Sequence, residues 1–231
     1  MSVNRVLRAL STLLIVAGLG VFADVGVTMV WQEPITALIA LHDQHELSGQ
    51  LKRLEAQGPT PLELAELGHM PRLHARIALL ARSLRKRVPR GNAVGRLVIP
   101  ALHENLVLVN GTNTASLRKG PGIYTSTPFP GVAATTAIAG HRTTYLAPFR
   151  HLDRLKRGDT IDVRMPYADF HYTVQSTQTV TAKSRWILRS QGYDRLVLSA
   201  CAPLFTATHR IVVFARLRNL VANSAYVESH A

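Results

Sequence analysis

The sequence predicts a mainly β domain, a small barrel or sandwich, standing on an N-terminal transmembrane helix and a helical stalk. Three observations carry that reading. There is an apolar run near the N-terminus, there are two leucine-periodic stretches after it, and beyond residue 95 come short runs of Val, Ile, Thr, Leu and Tyr separated by Gly, Pro, Asp and Asn turns. A chain of 231 residues holds one domain of ordinary size plus extra segments. With 47% hydrophobic and 18% charged residues, the composition excludes a disordered chain and a polytopic membrane protein.

Arg5 and Arg8 precede the apolar stretch from Leu10 to Ala23, and after Asp24 the apolar character resumes as far as Trp31. One helix over positions 10–31 rises about 33 Å, enough to cross a hydrocarbon layer of roughly 30 Å. Asp24 is the discordant residue; it falls near the outer headgroups if the span begins around Val6, with Trp31 as interfacial anchor. A cleaved signal peptide competes, but its candidate cleavage patterns, Gly18-Leu19-Gly20 and Gly20 to Ala23, are weak, and the apolar character continues past them. The uncleaved anchor is the preferred reading. Arginines before the span, and none close after it, place the N-terminus in the cytoplasm and the remainder outside the plasma membrane.

The stalk is expected from spacing. Ile35, Leu38, Leu41, Leu47, Leu51 and Leu54 recur at helical intervals, and a second helical stretch from Pro61 to Val88 is interrupted at Gly68 to Pro71. Its basic end, Arg82 to Arg90, reads as a solvated helix terminus, with anionic headgroups or wall polymer as the alternative partner. His42, His45, His69 and His74 read as exposed helix residues rather than metal ligands. Pro89, Gly91 and Gly95 then punctuate the chain. The expected organisation is therefore an anchor at 1–32, a stalk at 33–90, the β domain at 91–221 and a tail at 222–231. Strands are expected at 96–99, 105–109, 134–139, 160–165, 170–181, 195–200 and 211–217.

The formal net charge is +13, and sixteen basic against seven acidic residues fall beyond position 90. Such a surface suits an anionic polymer or membrane. No zinc-finger spacing, aromatic RNA platform or basic heptad helix accompanies it, so no nucleic-acid partner is expected. Cys201 is the single cysteine, which excludes an intramolecular disulfide. An unpaired thiol in an exported chain is either inert and buried, or kept for its reactivity.

Cys201 ends the apolar strand Leu196 to Ala200, and nine residues later Arg210 opens the strand Ile211 to Ala215. The end of one strand and the start of the next can lie side by side, so thiol and guanidinium can share a site. Arg210 stays charged at any relevant pH, and its fork of donors suits a developing oxyanion. Among ten histidines, His141 is best placed as a proton carrier, because it follows the strand 135–139 through Gly140 and stands on a loop at the strand end. These residues make a candidate thiol and imidazole site with an oxyanion arginine.

The segments Ala137 to Tyr145 (AIAGHRTTY) and Leu198 to Pro203 (LSACAP), with Arg210, resemble sortases, most closely the class E type of actinobacteria. Leu117 to Gly122 and His151 to Asp162 are also similar to that family, and the resemblance covers roughly residues 95–220. It implies an eight-stranded β-barrel that cleaves a Leu-Pro-x-Thr-Gly or Leu-Ala-x-Thr-Gly sorting signal in exported proteins. Cys201 would be the nucleophile, His141 the general acid and base, and Arg210 the oxyanion and orienting residue. The implied acceptor is an amino group of a peptidoglycan precursor or another amine. No cofactor is implied, and no acidic cluster for calcium stands between Ser184 and Asp194. Val197 and Ala200 stand where the family pattern Thr-Leu-x-Thr-Cys has threonines; loss of a hydroxyl beside Cys201 is expected to remove a hydrogen bond to substrate or oxyanion. Two other readings use the same residues: a thiol hydrolase with water as acceptor, and a silent barrel that binds sorting-signal peptide or wall polymer.

Overall fold

A computed structural model describes residues 3–30 and 34–227 of the chain. Eight strands close into one barrel: β1 (Ala93–Ile99), β2 (Glu104–Asn110), β3 (Gly122–Ile123), β4 (Thr135–Ala139), β5 (Thr160–Met165), β6 (Ala168–Thr181), β7 (Arg195–Ala202) and β8 (His209–Ala222). Around the barrel the order is β1-β2-β3-β4-β7-β8-β6-β5. Neighbours are antiparallel except for β2 with β3 and β4 with β7, which run parallel. Every strand has a neighbour on both sides, but the far half of β6, from Val174 to Thr181, pairs with β8 alone. The two-residue β3 was not among the expected strands. It follows Pro121 and begins with glycine, so it lacks any run of branched residues, yet it bridges β2 to β4.

Strand alternation decides which side chains fill the barrel. Along β7, Leu196, Leu198, Ala200 and Ala202 join the main core with Leu97, Ile138, Val163, Phe170, Ile211 and Val213. Val197 belongs instead to a second cluster on the outer wall, with Ala137, Ile187, Val212 and Phe214. Because successive side chains point to opposite faces, Ser199 and Cys201 share the outer wall with Val197.

Four helices precede the barrel: α1 (Val3–Val30), α2 (Pro34–Gln57), α3 (Pro61–Gly68) and α4 (Leu73–Arg87). The stretch Arg5–Val27 of α1 is long and apolar enough to cross a membrane and touches no other part of the protein closely enough to be buried. Trp31, the expected interfacial anchor, lies outside the described residues. A break between α3 and α4 falls where Gly68 to Pro71 predicts it, and α3 opens with a capping box in which Thr60 and Glu63 satisfy each other's backbone N–H groups.

The segment expected to be a stalk does not stand free; it packs on the barrel. Leu47 and Leu51 of α2 bury against Ala93, Val107 and Val109, each such leucine contributing about 1.5–3 kcal/mol of burial. β2 pairs with β3 only at Val109 and Asn110, and Gln44 serves Val107 as a strand would. Its Oε1 accepts from the Val107 N–H at 2.7 Å, and its Nε2 donates to the carbonyls of Val107 at 3.1 Å and Lys119 at 2.8 Å. A Cβ on Gly120 would collide with that amide, so this glycine is needed for the approach. Ile77, Leu80 and Leu84 of α4 enter the same core as the barrel interior. The basic end of α4 is also employed: Arg85 donates to the Thr125 carbonyl at 2.7 Å, and Arg87 stands 3.6 Å from the buried Glu63. A short helix α5 (Thr114–Lys119) follows β2. After β8, helix α6 (Ser224–Val227) tucks Tyr226 inward to donate to Leu54 at 2.7 Å.

Candidate active site

β4, β7 and β8 lie side by side and deliver three chemical groups to one rim. Cys201 of β7 is paired with Arg210 of β8 in antiparallel register, which sets their Cα atoms about 5 Å apart with side chains on the same face. Ala139 of β4 is paired with Ser199 in parallel register. The Gly140 N–H extends the ladder to the Ser199 carbonyl at 3.2 Å. Two residues beyond the Ala139 and Ser199 pair, His141 and Cys201 emerge together. Cys201 and Arg210 stand on the outer wall, with Cys201 a half-buried free thiol, and the loop that bears His141 starts beside them.

Gly140 is required here by a close approach rather than by a turn. A Cβ at this position would stand 2.7 Å from the ring of Phe149, which is fully buried. The ring therefore packs under the backbone that presents His141. Beyond the histidine, Tyr145, Leu146 and Ala147 adopt φ of 51°, 65° and 44°, three successive non-glycine residues in the left-handed region, at roughly 1–3 kcal/mol each. Such a turn persists only where its surroundings hold it. The Phe149 N–H donates to the His141 carbonyl at 2.9 Å, the Ala147 N–H to Thr144 at 2.9 Å, and the Tyr145 N–H to the Thr36 hydroxyl of α2 at 3.1 Å.

The His141 imidazole is held with its Nε2 buried and without a hydrogen-bond partner among the described residues. Its ring centroid is 5.3 Å from that of Tyr145, which in turn carries the Arg118 guanidinium 5.7 Å above its ring. Burial lowers the imidazole pKa below its usual 6.5, since the charged form loses water. Nε2 is closed to solvent here, so it meets a substrate proton only once the ring turns or its cover opens.

Arg142 is a residue whose role the sequence did not disclose. Its side chain is 9% exposed. Nη1 donates to the Cys201 carbonyl at 3.3 Å, Nε and Nη2 donate to the Arg150 carbonyl at 3.3 and 3.1 Å, and Nη2 meets Asp153 at 2.9 Å. One guanidinium thus ties the loop of His141 to the backbone of Cys201. Arg210 directs Nη1 to the carbonyls of Ala207 and His209 at 3.1 and 3.0 Å; Nε and Nη2 carry its other three N–H groups.

A cavity of about 620 Å³ runs along the outer wall up to Arg210. It is walled by Tyr124 and Ser126 on one side and by the segment from Thr181 to Arg189 on the other. The Tyr124 and Ser199 hydroxyls share a hydrogen bond of 3.0 Å beside it. Ala200 takes no part, because it faces the barrel interior and is 3% exposed. The expectation that a hydroxyl at 200 would sit beside the thiol is corrected: on this face the neighbouring hydroxyl is that of Ser199.

The family model of the sortase domain matches residues 97–218. The chain belongs to the sortase family. Among characterised relatives, Sortase D of Bacillus subtilis is 32% identical over 114 residues, which is 49% of this chain and 56% of the relative. Sortase SrtE1 of Streptomyces coelicolor is 30% identical over 105 residues, 42% of this chain and 30% of the relative. The chain therefore spans about half or less of the length of these relatives. The crystal structure of Sortase E1 from Streptomyces coelicolor with a tripeptide in its active site is 27% identical, with a TM-score of 0.54, and the match covers 58% of this chain and 93% of that one. Sortase E from Streptomyces avermitilis is 28% identical with a TM-score of 0.53, over 58% of this chain and 93% of that one.

Proposed function

We propose that this sortase is a membrane-anchored cysteine transpeptidase that cleaves a Leu-Pro-x-Thr-Gly or Leu-Ala-x-Thr-Gly sorting signal between Thr and Gly and joins the protein to a cell-wall amine. The observation that supports the reading is that Cys201 and Arg210 are register partners on the outer wall and that the loop of His141 is tied to the same strand end. The substrate backbone lies in the cavity that ends at Arg210. His141 takes the proton of the Cys201 thiol as the sulfur attacks the threonine carbonyl carbon, and the carbonyl oxygen takes the electron pair. Arg210 stabilises that oxyanion through the N–H groups of its fork. As the C–N bond breaks, His141 gives a proton to the departing glycine amine, leaving a thioester on Cys201. An incoming amine loses a proton to His141 and attacks the thioester; the sulfur leaves, takes that proton from His141, and the cycle closes. The acceptor is a peptidoglycan precursor or another exposed amine. Helix α1 is the single-pass anchor, with its arginine-bearing end in the cytoplasm and the barrel outside the plasma membrane.

The test uses the full chain in detergent with a Leu-Ala-x-Thr-Gly peptide and triglycine. A mass adduct on Cys201 and a ligated peptide are expected, and both should vanish in Cys201→Ala while the fold is retained. Turnover persisting in Cys201→Ala would remove the thiol from the mechanism. Release of the peptide ending in a threonine carboxylate, with no ligated product, would instead assign water as the acceptor and a hydrolase activity.

A further inference from the structure

The first two turns of α2 present apolar side chains to solvent on the face turned away from the barrel: Leu38 is 70%, Ile39 52% and Leu41 55% exposed. On the opposite face Ala37 and Ala40 are buried. From the third turn onward the outward face becomes polar, with His42, His45 and Glu46 exposed. An outward face that is apolar only near its start, and polar beyond, suits a helix that leaves a lipid surface and enters water.

What precedes it limits the occupant. Helix α1 ends at Val30 and α2 begins at Pro34. Four Cα steps reach at most about 14 Å, so the start of α2 cannot stray far from the end of α1. The same turn of α2 grips the active-site loop: the Thr36 hydroxyl accepts from the Tyr145 N–H at 3.1 Å, and the Tyr145 ring lies 5.3 Å from His141. The surroundings are cationic. Arg118 covers Tyr145, and Arg150 and Arg154 flank His151, while Asp153 is paired with Arg142. Anionic headgroups are attracted to such a collar.

We infer that the first two turns of α2 are seated in the lipid–water boundary, so that the His141 rim of the barrel faces the bilayer and acts on chains presented at that surface. The inference rests on the reading of α1 as a membrane span. It deepens the proposed function by naming the partner of this rim, an anionic lipid surface. It also gives the left-handed turn at Tyr145 to Ala147 an external brace, because the helix holding it is itself held by lipid.

The experiment uses the full chain in vesicles of phosphatidylcholine and phosphatidylglycerol, in the Cys201→Ala background that removes the native thiol. Single cysteines are placed by Ile15→Cys, Leu38→Cys, Leu41→Cys or Val221→Cys and labelled with an environment-sensitive fluorophore, and spin-labelled lipid is added as quencher. Val221 pairs with Asp169, whereas Arg210 pairs with Val180; eleven residues along β8 separate them by roughly 35 Å. Positions 15, 38 and 41 should be quenched several-fold more than position 221. Quenching at 15 without quenching at 38 and 41 overturns the inference and leaves the anchor standing; no quenching at 15 overturns the anchor itself. Protection at 38 that grows with protein density would assign the face to a second copy of the chain and likewise overturn it. In the thiol-bearing chain, Leu38→Glu with Leu41→Glu should slow cleavage of a lipid-coupled signal peptide several-fold and leave the free peptide unaffected. Equal rates on both peptides would refute the inference.

Discussion

Replacing Arg142 by lysine keeps the charge and removes the fork. In the native arrangement the guanidinium serves two backbone carbonyls, those of Cys201 and Arg150, and one carboxylate, Asp153. A hydrogen bond from a charged donor contributes about 1.5–3 kcal/mol net. The bond to Asp153 counts for less, because that carboxylate is 55% exposed and solvent screens the pair to below about 1 kcal/mol. An ammonium can reach one of the two carbonyls, not both. The expected loss is therefore about 2–3 kcal/mol, which for a domain of this size lowers the melting temperature by roughly 4–12 °C. The effect on rate should be larger than stability implies. Arg142 couples the loop of His141 to the strand end of Cys201, and a misplacement of about 1 Å between reacting groups costs on the order of 100-fold. Thermal unfolding, together with kcat and KM on a sorting-signal peptide, separates the two effects: kcat should fall with KM little changed. An unchanged kcat beside a lowered melting temperature would show that Arg142 holds only the fold, and would refute the positioning argument.

Three further outcomes are expected. Gly140→Ala forces the Phe149 ring against a Cβ at 2.7 Å, so it should cost about 1–3 kcal/mol in chemical denaturation and reduce turnover as well. In the pH–rate profile, the limb that depends on His141 should lie below 6.5, because burial lowers its pKa. Tyr145→Ala, which uncovers the ring, should move that limb upward; no movement would mean that other groups desolvate it. Glu104 has its pKa raised to about 7 by burial. The folded state therefore holds a proton that the unfolded state has lost, and stability should decline as pH rises from about 4.5 through 7. Glu104→Gln should flatten that decline in melting curves taken across the range.

Seven of the eight strands were legible as runs of branched and aromatic residues between turn formers, because those runs are local. β3 was not, since its two residues, Gly122 and Ile123, become a strand only through partners supplied by β2 and β4. The helices before the barrel were legible as helices from leucine spacing. Their docking was not, because it depends on Gln44 meeting a backbone 63 residues away. At the site, Cys201 and Arg210 could be singled out at strand ends. The turn after His141 was invisible, since nothing in Tyr145-Leu146-Ala147 favours positive φ; it is held from outside by Thr36 and by Phe149. Arg142 likewise reads as an ordinary loop cation until the Cys201 carbonyl is seen in front of it.

The parallel pairing of β4 with β7 bears on how the chain can diverge. Sulfur and imidazole are each counted off from the same row, two steps past Ala139 on one side and two past Ser199 on the other. Deleting or inserting one residue between Ser199 and Cys201 would swing the sulfur to the packed side of the wall, and a change between Ala139 and His141 would shift where the imidazole leaves the sheet. The long excursion between the two counts, residues 142–194, carries no such arithmetic on its exposed stretches. Length changes there, and with them altered selectivity, are where variation can accumulate without dismantling the chemistry.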